Sequence, residues 1–179
     1  MIRSCGPLLA ALLALPLAAL PARAIRPELP FQPPATEAER ALDAALRAAD
    51  ADPDLLSNLI EGRGGPGHRR TVDHSASLTP ALVAAIARVE RALVRRNCGG
   101  RYRADEICGL NASPLTCAQD SAEGYLYRTG AGGRDRAYVA YRWPGPEGRA
   151  VATYRLLRRG GAWRIDGVRC AEGGPSFNL

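Results

Sequence analysis

The sequence predicts an α+β domain, with N-terminal helices packed on an antiparallel sheet of about four strands. Three observations carry this. Apolar residues recur at helical spacing between about residues 36 and 96. From Tyr125 onward the period falls to two, in segments rich in Tyr, Val, Trp and Ile. The turns between those segments are short and rich in Gly or Pro, as in antiparallel hairpins.

Two segments precede that domain. Met1–Ala24 has the three parts of a secretory signal peptide: Arg3 near the start, an apolar run Leu8–Leu20, and the A-x-A site Ala22-Arg23-Ala24. The apolar run has 13 residues and includes Pro16. A membrane span needs roughly 20, so no stable membrane insertion is expected. Cys5 lies ahead of the run and cannot become the lipid-bearing first residue of a lipoprotein. Cleavage is expected between Ala24 and Ile25, giving a soluble periplasmic or secreted protein. Ile25–Ala35 holds Pro27, Pro30, Pro33 and Pro34 and reads as an extended lead-in. A single domain then occupies residues 36–179.

Thr36 with Glu39 forms a capping box and opens a helix to about Ala49. Its apolar side is Ala38, Leu42, Ala45, Leu46 and Ala49. Asp52-Pro53 signals a second start, an acceptor side chain followed by Pro at the first helical position. The turns after it would bury Leu55, Leu56, Leu59 and Ile60. Gly62–Arg70 breaks all regularity. It lacks the preceding strand and the Gly-Lys-Ser/Thr of a phosphate loop, so a surface loop is expected. Thr79-Pro80 begins the strongest helix, to about Arg96, with Leu82, Ile86, Val89 and Leu93 as its buried stripe. Arg88, Glu90, Arg91 and Arg95 are expected mostly off that stripe. Gly99-Gly100 ends it.

The predicted strands are Tyr125–Arg128, Arg136–Trp143, Ala150–Arg158 and Ala162–Arg169. Ala137, Val139, Tyr141 and Trp143 share one face of the second. Trp163 and Ile165 share a face of the fourth, opposite Arg164 and Asp166. A sheet of this kind has one face covered by helices and the other left to solvent or a partner.

All 24 basic residues are Arg, and the expected exported form carries 22 of them against 18 acids, a net charge of +4. The arginines are scattered in sequence, with no run of five or six like charges and no nucleic-acid motif. Such a charge suits solubility, or nonspecific attraction to an anionic polymer or membrane surface.

Cys98, Cys108, Cys117 and Cys170 remain after cleavage, an even number that suggests two disulfides in an oxidising compartment. Intervals of 9, 8 and 52 residues lack the close pairs of a zinc site. Three connectivities are open. Cys98–Cys108 with Cys117–Cys170 is favoured, tying the helix end to its loop and the middle block to the last strand. Those bridges would constrain the unfolded chain by about 3 and 4 kcal/mol.

The chemical candidates are few. Asp73-His74-Ser75 cannot be a triad, whose members converge from separate segments. No Gly-x-Ser-x-Gly elbow is present. His68 lies in the Gly-rich loop and is expected to be solvated. No metal or cofactor is implied. Gln119 and Asp120 are the best polar candidates for ligand contact, with Tyr141, Trp143 and Trp163 as walls of a pocket between sheet and helix.

Three blocks also carry a family resemblance: Leu78-Thr79-Pro80-Ala81-Leu82, Ala112-Ser113-Pro114-Leu115 leading to Ala118-Gln119-Asp120, and Gly161-Ala162-Trp163-Arg164-Ile165-Asp166-Gly167-Val168. Over about Thr36–Cys170 the chain resembles bacterial exported proteins of domain of unknown function 3828, within the nuclear-transport-factor-2-like (cystatin-like) superfamily. The resemblance implies a cone: helices cupped by a curved antiparallel sheet. It implies a compartment and a fold rather than a reaction. Where that family's pattern has an acid before the Pro of the middle block, this chain has Ser113.

Two functions follow. The first is a monomeric exported binding module without chemistry of its own, recognising an envelope protein or a small ligand. The second is a small periplasmic enzyme using the pocket, which would need a titratable group inside an apolar cavity. The inward strand faces, Ala137/Val139/Tyr141 and Trp163/Ile165, offer no acid, so binding leads. The mature N-terminus is expected at Ile25. Mass spectrometry of the periplasmic fraction checks this, and intact Met1–Ala24 in a membrane fraction would refute it.

Overall fold

The computed structural model describes residues 29–61, 63, 69–103, 105–145, 149–171 and 174–179. The expected signal Met1–Ala24, the start of the lead-in and His68 lie outside the described residues. The described residues form an α+β fold with three helices and an open antiparallel sheet in the order β1-β2-β3-β4-β5. Among the described residues no helix is long and apolar enough to cross a membrane.

Helix α1 (Glu37–Asp50) opens on the predicted capping box: Glu39 N–H donates to the Thr36 hydroxyl, and Thr36 N–H donates to the Glu39 carboxylate. It buries the predicted side, Ala38, Leu42, Ala45, Leu46 and Ala49. Helix α2 (Leu55–Leu59) starts later than Asp52-Pro53 suggests, with Asp54 at its cap position. The Asp52 carboxylate is engaged elsewhere, as described below. Helix α3 (Pro80–Cys98) is capped by Thr79, whose hydroxyl accepts from Leu82 N–H, and stopped by left-handed Gly99.

The buried stripe of α3 differs from the expected one. Val89 and Leu93 are half-buried, and the interior row runs Leu82, Ile86, Glu90, Val94 and Cys98. Glu90 is fully buried despite its charge. Steps of four wind this row slowly around the helix, toward the loop that follows it.

Strands β1 (Leu126–Thr129), β2 (Arg136–Arg142), β3 (Ala152–Arg159) and β4 (Ala162–Cys170) match the predicted four within two residues. A short β5 (Ser176–Phe177) adds a fifth, paired with Val168 and Arg169. Two residues give too little alternation to be read from sequence. The β3–β4 turn uses Gly160 and Gly161, both at positive φ, as a two-residue hairpin of this hand requires.

Register defines the covered face. Tyr127, Tyr141, Ala152 and Cys170 form one row across it, and Val139, Tyr154, Val168 and Phe177 form the next. Asp166 is the extra residue of a bulge: Arg155 pairs with Gly167, but Leu156 pairs with Ile165. Both Ile165 and Val168 consequently turn inward, although three residues apart. Helix α1 crosses this face from β1 to β4, and α3 packs beside it on β4 and β5.

Both favoured disulfides are present, Cys98–Cys108 and Cys117–Cys170. The first closes the end of α3 onto its own loop. The second fastens the segment between α3 and β1 to the sheet. Ile86 has no exposed surface at the centre of this core. Ile86→Ala is expected to cost about 2–5 kcal/mol in urea unfolding. A loss below about 1 kcal/mol, as at a surface position, would contradict that placement.

Candidate functional site

The segment from Gly109 to Glu123 is irregular yet tightly held. The Ser113 hydroxyl accepts from Leu115 and Thr116 N–H, at 3.3 and 3.1 Å, and makes a compact turn. Two core tyrosines reach that turn: Tyr154 donates to Leu115 C=O at 2.6 Å, and Tyr141 donates to Thr116 C=O. Cys117, at φ 57°, is bonded to Cys170.

The other end of the segment hangs on Glu90. Its carboxylate accepts from Leu110 N–H at 2.6 Å, Arg63 Nε at 2.8 Å and the Tyr102 hydroxyl at 2.9 Å. A Cβ at position 109 would collide with this carboxylate and force it to shift from its three partners, so glycine there permits the close approach. Arg63 also stacks on the Tyr102 ring, 5.4 Å from its centroid. Burial of the Tyr102 hydroxyl beside Glu90 raises its pKa.

Between this segment and the end of α1 lies a cleft of about 450 Å³. Asp50, Asp52 and Arg63 line one wall; Asn111, Ser113, Gln119 and Asp120 line the other. Asp50 accepts from the Tyr125 hydroxyl, and burial with this bond raises the Tyr125 pKa strongly. Three carboxylates against one arginine, itself paired to Glu90, give the cleft an acidic character.

Asp52 is the best-anchored of the three. His74 Nε2 lies 2.8 Å from its Oδ2, Asn58 donates to both oxygens at 3.0 and 2.8 Å, and Asp54 N–H donates to Oδ1 at 3.0 Å. Burial of Asp52 opposes ionisation, but the bonds from His74, Asn58 and Asp54 outweigh it, and its pKa falls below the ordinary 3.8. Asp73, next to His74 in sequence, instead binds Ser75 N–H and hydroxyl. The histidine therefore finds its acid 22 residues upstream.

Gln119 and Asp120 are exposed on the rim between this cleft and a second one of about 570 Å³, walled by Ala122, Glu123, Trp143 and Pro144. The structure thus brings Gln119, Asp120 and Trp143 together. Trp143 lies just beyond β2 and is 44 % exposed, where the sequence pattern continued the strand. Tyr141 and Trp163 do not join them. Tyr141 is fully buried, its hydroxyl spent on Thr116. Trp163 sits at the opposite end of the sheet, half-buried beside Thr36, Gly132 and Ala137. A single aromatic pocket spanning all three is therefore not formed.

Asp50, Asp52, Arg63, His74 and Glu90 are the site-forming residues that sequence reasoning missed. Only Glu90 had a readable signal, its place in the row of fours from Leu82 to Cys98. No family model, curated protein or solved structure matches this chain.

Asp52→Ala strips His74 and Asn58 of a buried acceptor and is expected to cost about 1–3 kcal/mol at pH 7. Because the folded-state pKa of Asp52 is lowered, its contribution is whole above 3.8 and lost as pH falls through the folded value. The difference between wild type and variant should therefore shrink in acid, as measured by chemical unfolding across pH. An unchanged difference down to the lowest folded pH would refute this role for the carboxylate.

Proposed function

We propose that the protein is an exported binding module of the nuclear-transport-factor-2-like kind, with helices cupped by a curved sheet, and that it recognises its partner at the acidic cleft beside Gln119 and Asp120. The observation that carries this reading is the anchoring of one cleft wall. Bonds from Tyr141, Tyr154 and Glu90 and the Cys117–Cys170 bridge hold the turn that precedes Gln119 and Asp120. A wall held in advance loses little freedom on binding, which favours affinity. The exposed carboxamide and carboxylate at its rim suit a ligand rich in hydrogen-bond donors or positive charge.

The alternative is a small periplasmic enzyme, and the Asp52–His74 pair at the cleft's edge is the observation in its favour. Four donor contacts already occupy the Asp52 carboxylate. A pair bound this way serves better as a strut between α2 and the 69–79 segment than as a proton relay.

Affinity capture from envelope extract, with wild type beside Asp120→Ala, separates the two. A partner retained by wild type and weakened roughly tenfold or more in the variant supports recognition at the rim, a loss typical of a removed charged contact. Substrate turnover abolished by Asp120→Ala, with no partner retained, would overturn it in favour of the enzyme.

A further inference from the structure

The arginines that are scattered in sequence are gathered by the topology. Strands β1–β4 contain eight arginines and one acid, Asp166. Cross-strand partners share a face. Counting outward from the covered rows, Arg128, Arg136, Arg142, Arg155, Arg159 and Arg169 all fall on the face turned away from the helices. Asp166, the acid of these strands, is buried, bonded to Thr79 at 2.9 Å and paired with Arg155 at 2.6 Å, so it offsets Arg155 and is not presented on this face. Arg136, Arg159 and Arg169 are exposed. Arg128 and Arg142 lie over the Phe31 ring, at 4.6 and 5.5 Å from its centroid.

We propose that this open face docks the protein on an anionic phospholipid surface. Its occupant must be negative. A second copy would present the same charge, and the stretch Ile25–Glu28 left after the expected cleavage, with one arginine and one glutamate, has no net charge to offset it. The charge is also spread in two dimensions. Strands lie about 4.8 Å apart and same-face neighbours about 7 Å apart along each strand, so the exposed Arg136 and Arg169, two strands apart and offset by four residues in register, stand roughly 17 Å from each other. Such an array matches a plane of phosphates better than a single polymer track. Guanidinium groups suit phosphate, which they bind through paired N–H donors.

Nucleic acid fits less well. Single strands are held by successive aromatic platforms, and Tyr138 is the exposed aromatic that β1–β4 offer on this face. A sheet face also has no helix or ribbon to enter a duplex groove. Tyr138 and Leu179 do not make an apolar patch able to insert deeply, so attachment is electrostatic, reversible and weakened by salt.

Vesicle co-sedimentation of the disulfide-bonded protein tests this. Binding is expected to phosphatidylcholine–phosphatidylglycerol vesicles at low salt, to be absent from phosphatidylcholine alone, and to be released by high salt. Arg136→Glu with Arg169→Glu should weaken it roughly tenfold or more, given the contribution of each basic residue near an anionic surface. Arg136→Gln with Arg169→Gln, which only neutralises the pair, should show a smaller loss in the same direction. Arg88→Glu with Arg95→Glu, exposed on α3 and equal in net charge change, should retain most binding. Asp120→Ala should leave vesicle binding unchanged, so this proposal and the cleft stand or fall separately. Equal loss in the sheet and helix variants would overturn it, as would equal binding to neutral vesicles. Tighter binding to a single-stranded oligonucleotide than to anionic vesicles would also overturn it.

Discussion

Three fully buried tyrosines on one sheet face set the geometry of everything above them. Tyr127 and Tyr141 are direct cross-strand partners on β1 and β2, and Tyr154 follows on β3, its ring 5.8 Å from that of Tyr141. Each ring supplies a large apolar area, but each hydroxyl must find a partner or cost about 1–3 kcal/mol. Tyr127 reaches Asp43 on α1 at 2.9 Å. Tyr141 and Tyr154 reach the carbonyls of Thr116 and Leu115. The layer therefore fixes the helix and the cleft wall as a consequence of satisfying itself. Burial raises all three pKa values, so the hydroxyls remain donors throughout the physiological range.

The same rule explains why charged residues lie so deep. Glu39 is buried at the start of α1, yet accepts from Ala35 and Thr36 N–H and from the Thr129 hydroxyl. Those bonds outweigh its desolvation and lower its pKa. Glu39 and Asp43 thus tie α1 to β1, and Asp50 bonds Tyr125 just before that strand. Glu90 does the equivalent for α3, binding three groups from two different loops. Each buried carboxylate fixes a connection that apolar packing alone would leave free to slide.

Local features of the fold were legible because they depend on local chemistry. The Thr36–Glu39 box, Thr79-Pro80, Gly99 and the hairpin glycines act within a few residues of themselves. The alternation Ala137, Val139, Tyr141 gave the covered face of β2 correctly, and failed at Trp143 where the strand ends. The candidate site was harder to read. Asp52 presents in sequence as a helix start, and His74 stands beside an acid it does not use. Nothing within 22 residues announces their pairing, which exists only once α2 folds back toward the 69–79 segment. The inward turn of both Ile165 and Val168 likewise depends on a bulge, which alternation counting cannot detect.

Charge was the property most misleading in one dimension. A net charge of +6 for the whole chain, spread among scattered arginines, reads as bland solubility. Period-two strands convert that scatter into order, since an arginine opposite an apolar neighbour in each strand must face away from the core. The acids follow the other logic: Glu39, Asp43, Asp50 and Asp52 lie on α1 or just after it, and Glu90 on α3, where buried hydroxyls and amides need acceptors. The contrast is local rather than global, because α3 also carries Arg88, Arg91, Arg95 and Arg96: carboxylates gather at the cleft, and guanidinium groups gather on the open sheet. A partner that meets the cleft and one that meets the sheet would experience fields of opposite sign, so the two surfaces select different chemistry and need not compete.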